Sequence, residues 1–220
     1  MKSRLDEVMP SGLGSEVRAR AELSALLLLG LGHALLELLW NEQSALVFTA
    51  LGVLGFAAYV VARARRNPAL LRRWGLRTDN FRSALPAHLG FALLGSAGLV
   101  GLGAFLRPLE TPPTFWILLA LYPLWGGAQQ FALQNFVGAN VARLLRSELG
   151  VAVVTGLLFG LSHVPRWDLT LLTLTSGIAF TLIYRRYPNL WAVALSHGVL
   201  GTLAIHFVAG EDPLRALMGG

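Results

Sequence analysis

Long apolar runs are the feature of this sequence that most restricts its fold. An α-helix needs about 20 apolar residues to cross a hydrocarbon core roughly 30 Å thick. Seven runs reach or approach that length: 21–40, 45–61, 87–106, 115–138, 149–164, 169–184 and 190–209. Only 14% of the 220 residues are charged, against roughly 25% in soluble domains, which excludes an ordinary soluble fold. The sequence therefore predicts an all-α, polytopic membrane helix bundle with seven transmembrane helices, of which 149–164 and 169–184 form a tight pair.

The basic residues predict the orientation of these helices, because Lys and Arg are retained on the cytoplasmic side of a membrane. With the N-terminus inside, 15 of the 18 Lys and Arg residues fall in inner segments. The outer segments hold only Arg107, Arg166 and Arg215. The sequence thus predicts a multi-pass protein of the cell membrane, with a cytoplasmic N-terminal segment (1–20), one membrane domain (21–209) and a C-terminal tail outside (210–220).

The net charge of +6 raises the question of a nucleic-acid partner. The densest basic stretch, from Arg63 to Arg82, holds only Trp74 and Phe81 as aromatic residues and has no nucleic-acid-binding fold around it. We interpret it as a cytoplasmic loop that fixes the topology, with binding of anionic lipid headgroups as the alternative. The predicted partner is therefore the lipid bilayer and not nucleic acid. Since the chain has no cysteine, thiolate nucleophiles and cysteine metal ligands are excluded.

Polar side chains inside the predicted spans are functional candidates, because they are costly in hydrocarbon and face the bundle interior. They cluster as Gln129, Gln130, Gln134 and Asn135 in the fourth span, Ser162 and His163 at the end of the fifth, Ser196, His197 and His206 in the seventh, and His33 and Glu37 in the first. From a rise of about 1.5 Å per residue, Gln130, His163 and His197 are expected to meet in the middle-to-outer bilayer. His206 is out of phase with His197 and is expected to face elsewhere.

The fourth span carries two glutamines on one face, because Gln130 and Gln134 are four residues apart. Just upstream, Pro123 removes a backbone hydrogen bond and Gly126 leaves side-chain volume empty. These residues predict a bent helix, and we interpret the glutamines as interhelical amide hydrogen bonding, with a polar cavity beside them as the alternative. Trp125, deep in the same span, is expected to pack inside the bundle.

Two further pairs have the same helical spacing. His33 and Glu37 are expected to form a buried ion pair that holds the first helix to the bundle, with a catalytic or ligand role for Glu37 as the alternative. Gly156 and Gly160 form a small-xxx-small pair that lets the fifth span approach a neighbour closely.

Three short motifs in the second half of the chain have a recognisable order and spacing: QQFALQ at 129–134, FGLSH at 159–163 and HGVLG at 197–201. They resemble the CAAX protease and bacteriocin-processing family of intramembrane proteases, which includes the prenyl-protein endopeptidases and the lysostaphin-resistance protein A-like proteins. That family reads EExxxR, FxxxH and HxxxN. The segments Trp74-Gly75-Leu76-Arg77 and Asn189-Leu190-Trp191 also look like family context.

The resemblance implies hydrolysis of a peptide bond in a membrane-associated peptide or protein. The implied catalytic residues are His163, His197, Gln129, Gln130 and Gln134, with Phe159, Glu37 and His33 as further candidates. In the family a glutamate is thought to activate water while the histidines position it or stabilise the oxyanion.

This chain departs from the family pattern at four positions. Both family glutamates are glutamine, the arginine is Gln134 and the final asparagine is Gly201. A glutamine amide has no useful basicity, so a general-base step worth about 10²–10⁴ in rate must come from another group. His163, His197 or Glu37 are the candidates, since imidazole titrates near neutrality.

The resemblance leaves metal dependence open. A divalent metal such as zinc is poorly supported, because His163 and His197 with neutral amides fall short of the usual three-ligand catalytic set. The alternative to an endopeptidase is a catalytically inactive family member that acts as a membrane binding, immunity or assembly protein. A small transporter or channel has little support, since no charged pathway crosses the predicted bundle.

The predicted orientation can be tested with a reporter cysteine, because the chain has none of its own. Thr78→Cys lies in the basic inner segment, so a membrane-impermeant maleimide should label it only after the cytoplasmic side is opened. The unsubstituted chain is the control. Labelling of intact cells from the outside would contradict the orientation.

Overall fold

The computed structural model describes the backbone of residues 13–217, and the side chains in that range except those of 13–15, 33, 34, 37, 42, 45, 46 and 217. Ten α-helices are present there: α1 Leu13–Leu39, α2 Glu42–Arg66, α3 Ala69–Arg73, α4 Phe81–Leu106, α5 Pro113–Ala132, α6 Ala139–Leu144, α7 Glu148–Leu161, α8 Trp167–Arg186, α9 Leu190–Leu203 and α10 Pro213–Leu217. Two π-helical segments, Leu133–Gly138 and Ala204–Ala209, follow α5 and α9. Residues 13–217 contain no strand, and the predicted all-α fold class is confirmed.

Four helical stretches are long and apolar enough to cross a membrane: Val47–Arg66, Phe81–Leu106, Trp167–Arg186 and Leu190–Ala209. Large apolar side chains stand on outward faces, among them Leu94, which is 78% exposed, and Phe105, which is 87% exposed. Such surfaces suit lipid and not water. The protein is therefore a helical membrane protein, and the number of seven crossings stays a prediction.

Several helix starts follow from capping side chains. Asn189 caps α9 by accepting a hydrogen bond from the backbone N–H of Ala192, and Ser147 caps α7 in the same way through Gly150. Such caps satisfy backbone donors that a helix leaves unpaired at its first turn. Other boundaries differ from the prediction: α1 begins inside the segment expected to precede it, and the fourth span, predicted to end at 138, continues directly into α6.

The centre of the bundle is α9. It packs against α5 on one side and α4 on another, while α7 pairs with α8. Most of its side chains are buried, including Leu190, Val193 and Leu200. These side chains belong to a core completed by Phe180 and Phe207. A helix apolar on all sides is typical of a central position, which explains why the helix that carries His197 is enclosed.

The pairing of α7 with α8 depends on glycines. A Cβ at Gly156 would lie 2.5 Å from Cγ1 of Ile178 and 2.7 Å from the carbonyl oxygen of Leu174. A Cβ at Gly160 would lie 2.9 Å from the carbonyl oxygen of Thr170. Both glycines are therefore needed for the two backbones to approach, as the small-xxx-small spacing predicts, and the neighbour they contact is α8.

The α1–α2 hairpin joins the bundle through a carboxylate that the sequence analysis overlooked. Glu22 accepts hydrogen bonds from Tyr59 at 2.5 Å, from Arg63 at 2.7 Å and from Nδ2 of Asn140 at 2.7 Å. Because Asn140 belongs to α6, this cluster ties the hairpin to the helix that carries the glutamines. The ion pair predicted between His33 and Glu37 concerns side chains outside the described residues, although both backbones lie in α1.

The glycine contacts predict opposite effects for two matched substitutions. Gly156→Ala places a methyl group against α8 and should destabilise the protein by about 1–3 kcal/mol through overpacking. Gly98→Ala, in α4, meets nothing within 4 Å and should be neutral or stabilising by up to about 1 kcal/mol, since alanine favours a helix. Thermal unfolding in detergent would compare them, and equal midpoints would contradict the packing described.

Candidate active site

The site is built where α5 and α9 approach each other closely. A Cβ at Gly126 would lie 2.8 Å from Cδ2 of His197, and a Cβ at Gly198 would lie 2.8 Å from Cα of Pro123. The imidazole of His197 fills the space beside Gly126, so the alternative of a cavity there does not hold, and Gln130 makes the interhelical hydrogen bond instead. The expected inward packing of Trp125 was also wrong: the residue is 57% exposed on the lipid-facing side, since the opposite face of α5 meets α9.

Three neutral side chains form a continuous hydrogen-bonded chain in this contact. Nε2 of Gln134 donates to Oε1 of Gln130 at 2.9 Å, and Nε2 of Gln130 lies 2.8 Å from Nδ1 of His197. Since the oxygen of Gln130 already accepts, its NH₂ group faces the imidazole. Nδ1 of His197 is therefore the acceptor, and the ring proton is on Nε2. All three residues are nearly enclosed, with exposures of 0%, 4% and 6% for Gln130, Gln134 and His197.

His163 has the opposite arrangement. Its Nδ1 lies 2.9 Å from the carbonyl oxygen of Phe159 and 3.2 Å from Oγ of Ser162. A carbonyl oxygen only accepts, so Nδ1 carries the proton and Nε2 keeps a lone pair. The residue follows the end of α7 and remains partly exposed. His163 therefore offers a basic nitrogen at the rim, whereas His197 offers an N–H inside.

Aromatic rings connect the two histidines. The Phe159 ring centroid lies 5.1 Å from that of His163 and 5.9 Å from that of His197. Phe180 stacks on the imidazole of His197, with ring centroids 5.5 Å apart and an interplanar angle of 6°. Phe159, the first residue of the FxxxH motif, thus separates the rings by one aromatic side chain and fixes their relative placement.

Two other candidates lie outside this arrangement. Gln129 is partly exposed, and its side chain makes no hydrogen bond to another described residue. His206 lies in the second π segment, where its Nε2 is 2.9 Å from the carbonyl oxygen of Glu110. The structure therefore brings together Gln130, Gln134 and His197, places His163 beside them through Phe159, and leaves His206 elsewhere.

The two segments that provided family context meet at the start of α9. The backbone N–H of Leu190 donates to the carbonyl oxygen of Gly75 at 2.9 Å, and Nδ2 of Asn189 donates to that of Arg77 at 2.8 Å. Gly75 has a φ of 76°, in the left-handed region that favours glycine. The Trp74–Arg77 segment is thus a docking strap for the helix that carries His197.

The same strap holds the helix that carries the glutamines. The carbonyl oxygen of Trp74 accepts hydrogen bonds from the hydroxyl of Tyr184 at 2.8 Å and from Nδ2 of Asn135 at 3.2 Å. Asn135 follows Gln134 in the first π segment. No sequence pattern predicts the π segment, although π turns inside helices are frequent at functional sites.

An ionic contact outside the membrane-spanning helices stiffens the end of the strap. Asp79 accepts hydrogen bonds from Arg77 and, at 2.6 Å, from Arg72. The Arg77 guanidinium, helped by Arg72, lowers the pKa of Asp79 to about 2. The carboxylate therefore stays charged, and the strap keeps this contact, throughout the neutral and mildly acidic range.

The donor set does not fit a catalytic zinc centre. Among the described side chains, no group of three or more His, Asp or Glu residues is placed to hold a metal ion. Nδ1 of His197 already accepts from Gln130, and a neutral amide is a weak ligand for zinc.

The fold and site define a helical membrane protein with a polar histidine–glutamine core. A family model described as type II CAAX prenyl endopeptidase, Rce1-like, matches residues 70–203, which is more than half of the chain. The chain belongs to this family. The match includes the Trp74–Arg77 strap and all three motifs, whereas α1 and α2 precede it. No curated protein and no solved structure gives a significant match.

The hydrogen bonds predict opposite neutral tautomers for the two site histidines. In ¹⁵N spectra of histidine-labelled protein, His163 should show the Nδ1–H form and His197 the Nε2–H form. Gln130→Met keeps the side-chain volume but removes the amide donor to Nδ1, so the ¹⁵N chemical shift of His197 Nδ1 should change. His163 serves as the internal control. A common tautomer for both rings in the wild type would contradict the geometry described.

Proposed function

We propose that the protein is an intramembrane endopeptidase that hydrolyses a peptide bond in a membrane-associated peptide or protein. Family membership and the apolar helices support the class. The site formed by His163, His197, Gln130 and Gln134 supports the reaction. We place the protein in the cell membrane with a cytoplasmic N-terminus, so that the site lies in the middle-to-outer bilayer.

The observation that carries the proposal is the free Nε2 lone pair of His163. Its Nδ1–H donates to the Phe159 carbonyl, which leaves the opposite nitrogen to accept a proton from water. An imidazole titrates near neutral pH and is suited to general-base catalysis. His163 is also the least buried member of the site, so water reaches it without entering the closed interior.

His197 is assigned a complementary role as a donor. Its Nδ1 accepts from Gln130, and Gln130 in turn accepts from Gln134, so the imidazole is fixed in orientation and keeps the proton on Nε2. Such an N–H can polarise a substrate carbonyl or bind the oxygen that becomes negative during attack. Gln130 and Gln134 occupy the positions of a glutamate and an arginine in the family motif. We assign them a role in positioning His197 and no role as bases.

A second candidate function is supported by the same hydrogen bonds. Gln130, Gln134 and His197 form hydrogen bonds with one another, as amides do when they hold membrane helices together. A catalytically inactive family member that binds a membrane protein, or confers immunity or assembly, would keep this chain for stability. The two functions differ in whether the purified protein cleaves a peptide.

Single substitutions test the enzyme. In proteoliposomes with a lipid-anchored peptide, His163→Ala should lower the rate of cleavage by about 10²-fold or more, since a general base contributes about 10²–10⁴. His197→Ala should also lower it strongly, because the carbonyl loses its donor. His206→Ala removes a histidine outside the site and should keep full activity.

Folding must be checked in the same samples, by thermal unfolding and by extraction from the membrane. Full cleavage by a folded His163→Ala or His197→Ala protein would refute the assigned roles. A folded wild type that binds the peptide without cleaving it would favour the second candidate.

A further inference from the structure

Tyr122 lies on the face of α5 that forms the site. Tyr122, Gly126 and Gln130 are spaced by four residues and therefore share one face of the helix. All three contact α9: Gln130 bonds to His197, Gly126 lies under its ring, and the Tyr122 ring stacks 6.2 Å from it at an interplanar angle of 27°. The phenol ring is thus a direct neighbour of the imidazole.

The Tyr122 ring occupies the space that a side chain at position 201 would take. A Cβ at Gly201 would overlap Cε1 of Tyr122, and would lie 3.0 Å from Cδ1 and 3.1 Å from Cζ. Gly201 is one turn beyond His197 on α9, at the position where the motif resemblance leads us to expect an asparagine. The glycine is required for the ring to reach α9. The Tyr122 side chain thus fills the space that an asparagine side chain at position 201 would occupy.

The hydroxyl of Tyr122 has no hydrogen-bond partner among the described residues, although buried tyrosine hydroxyls usually have one. Two other tyrosines use theirs: the buried Tyr184 donates to the Trp74 carbonyl, and the exposed Tyr59 donates to Glu22. Tyr122 is only half-buried. Its O–H is therefore available to a ligand in the site.

Tyr122 and His163 lie toward the same end of the bundle. Gly201, against which Tyr122 packs, is one turn further along α9 than His197, toward the end of the bundle where α5 begins. His163 follows the end of α7 at that same end, one turn beyond Phe159. At this end of the bundle, the groups available to a bound carbonyl group are the basic Nε2 of His163 and two donors, the Nε2–H of His197 and the O–H of Tyr122.

We propose that Tyr122 is a catalytic residue that donates a hydrogen bond to the oxyanion formed when water attacks the scissile amide; this inference rests on the proposed function. The water oxygen forms a bond to the carbonyl carbon, and its proton passes to Nε2 of His163. The carbonyl oxygen becomes negative and accepts from Tyr122 without taking its proton. The C–N bond then breaks, and the His163 proton moves to the leaving amine.

The isosteric substitution Tyr122→Phe tests this role. Removal of one oxyanion donor typically lowers kcat by about 10²–10³-fold, so cleavage of the lipid-anchored peptide should fall by that factor with little change in KM. Tyr187→Phe removes a hydroxyl outside the site and should leave the rate unchanged. Thermal unfolding should show both variants folded.

A binding measurement separates failure of this inference from failure of the proposed function. A phosphinate isostere of the peptide carries the anionic tetrahedral group, so Tyr122→Phe should weaken its binding while binding of the amide peptide stays the same. If a folded Tyr122→Phe protein cleaves as fast as an active wild type, the role of Tyr122 alone is overturned. A wild type that neither cleaves nor prefers the phosphinate to the amide would overturn both.

Discussion

The close approach of α5 to α9 is the constraint on which the candidate site depends. Gly126, Gly198 and Gly201 remove the side chains that would keep the helices apart, and each space is filled by a neighbour: His197, Pro123 and Tyr122 respectively. In a bilayer no water is present to satisfy polar groups, so the amides need a partner at hydrogen-bond distance. The glycines let α5 and α9 approach to that distance, so the hydrogen bonds between Gln130, Gln134 and His197 depend on the packing of these two helices.

The buried part of this chain of contacts is electrically neutral. Gln134 donates an amide hydrogen bond to Gln130, and Gln130 donates one to Nδ1 of His197. Burial of a charged side chain costs several kcal/mol unless a partner compensates it, and amides avoid that cost. In the proposed mechanism the enclosed residues therefore fix the orientation of His197. Proton transfer depends on His163, the residue that remains partly exposed.

The sequence predicts the helices and the meeting of Gln130 with His197, because apolar length defines spans and residue counts define depth along them. It does not predict which way a side chain turns, since that depends on the neighbours of each helix. Trp125 was for this reason expected inside, although its side chain is exposed. Glu22 was overlooked because it lies at the end of a span, where a carboxylate is usually exposed.

The first π segment, Leu133–Gly138, has a consequence for the length of the chain at this point. Upstream of it, Gln130 faces α9; downstream, Asn140 faces Glu22 on α1. An α-helix turns by about 100° per residue, so deletion or insertion of a single residue here would rotate one of these contacts away while the other stayed in place. The segment therefore sets the register between two halves of one long helix, and homologous chains aligned across it should not carry a gap there unless α1 is rearranged as well.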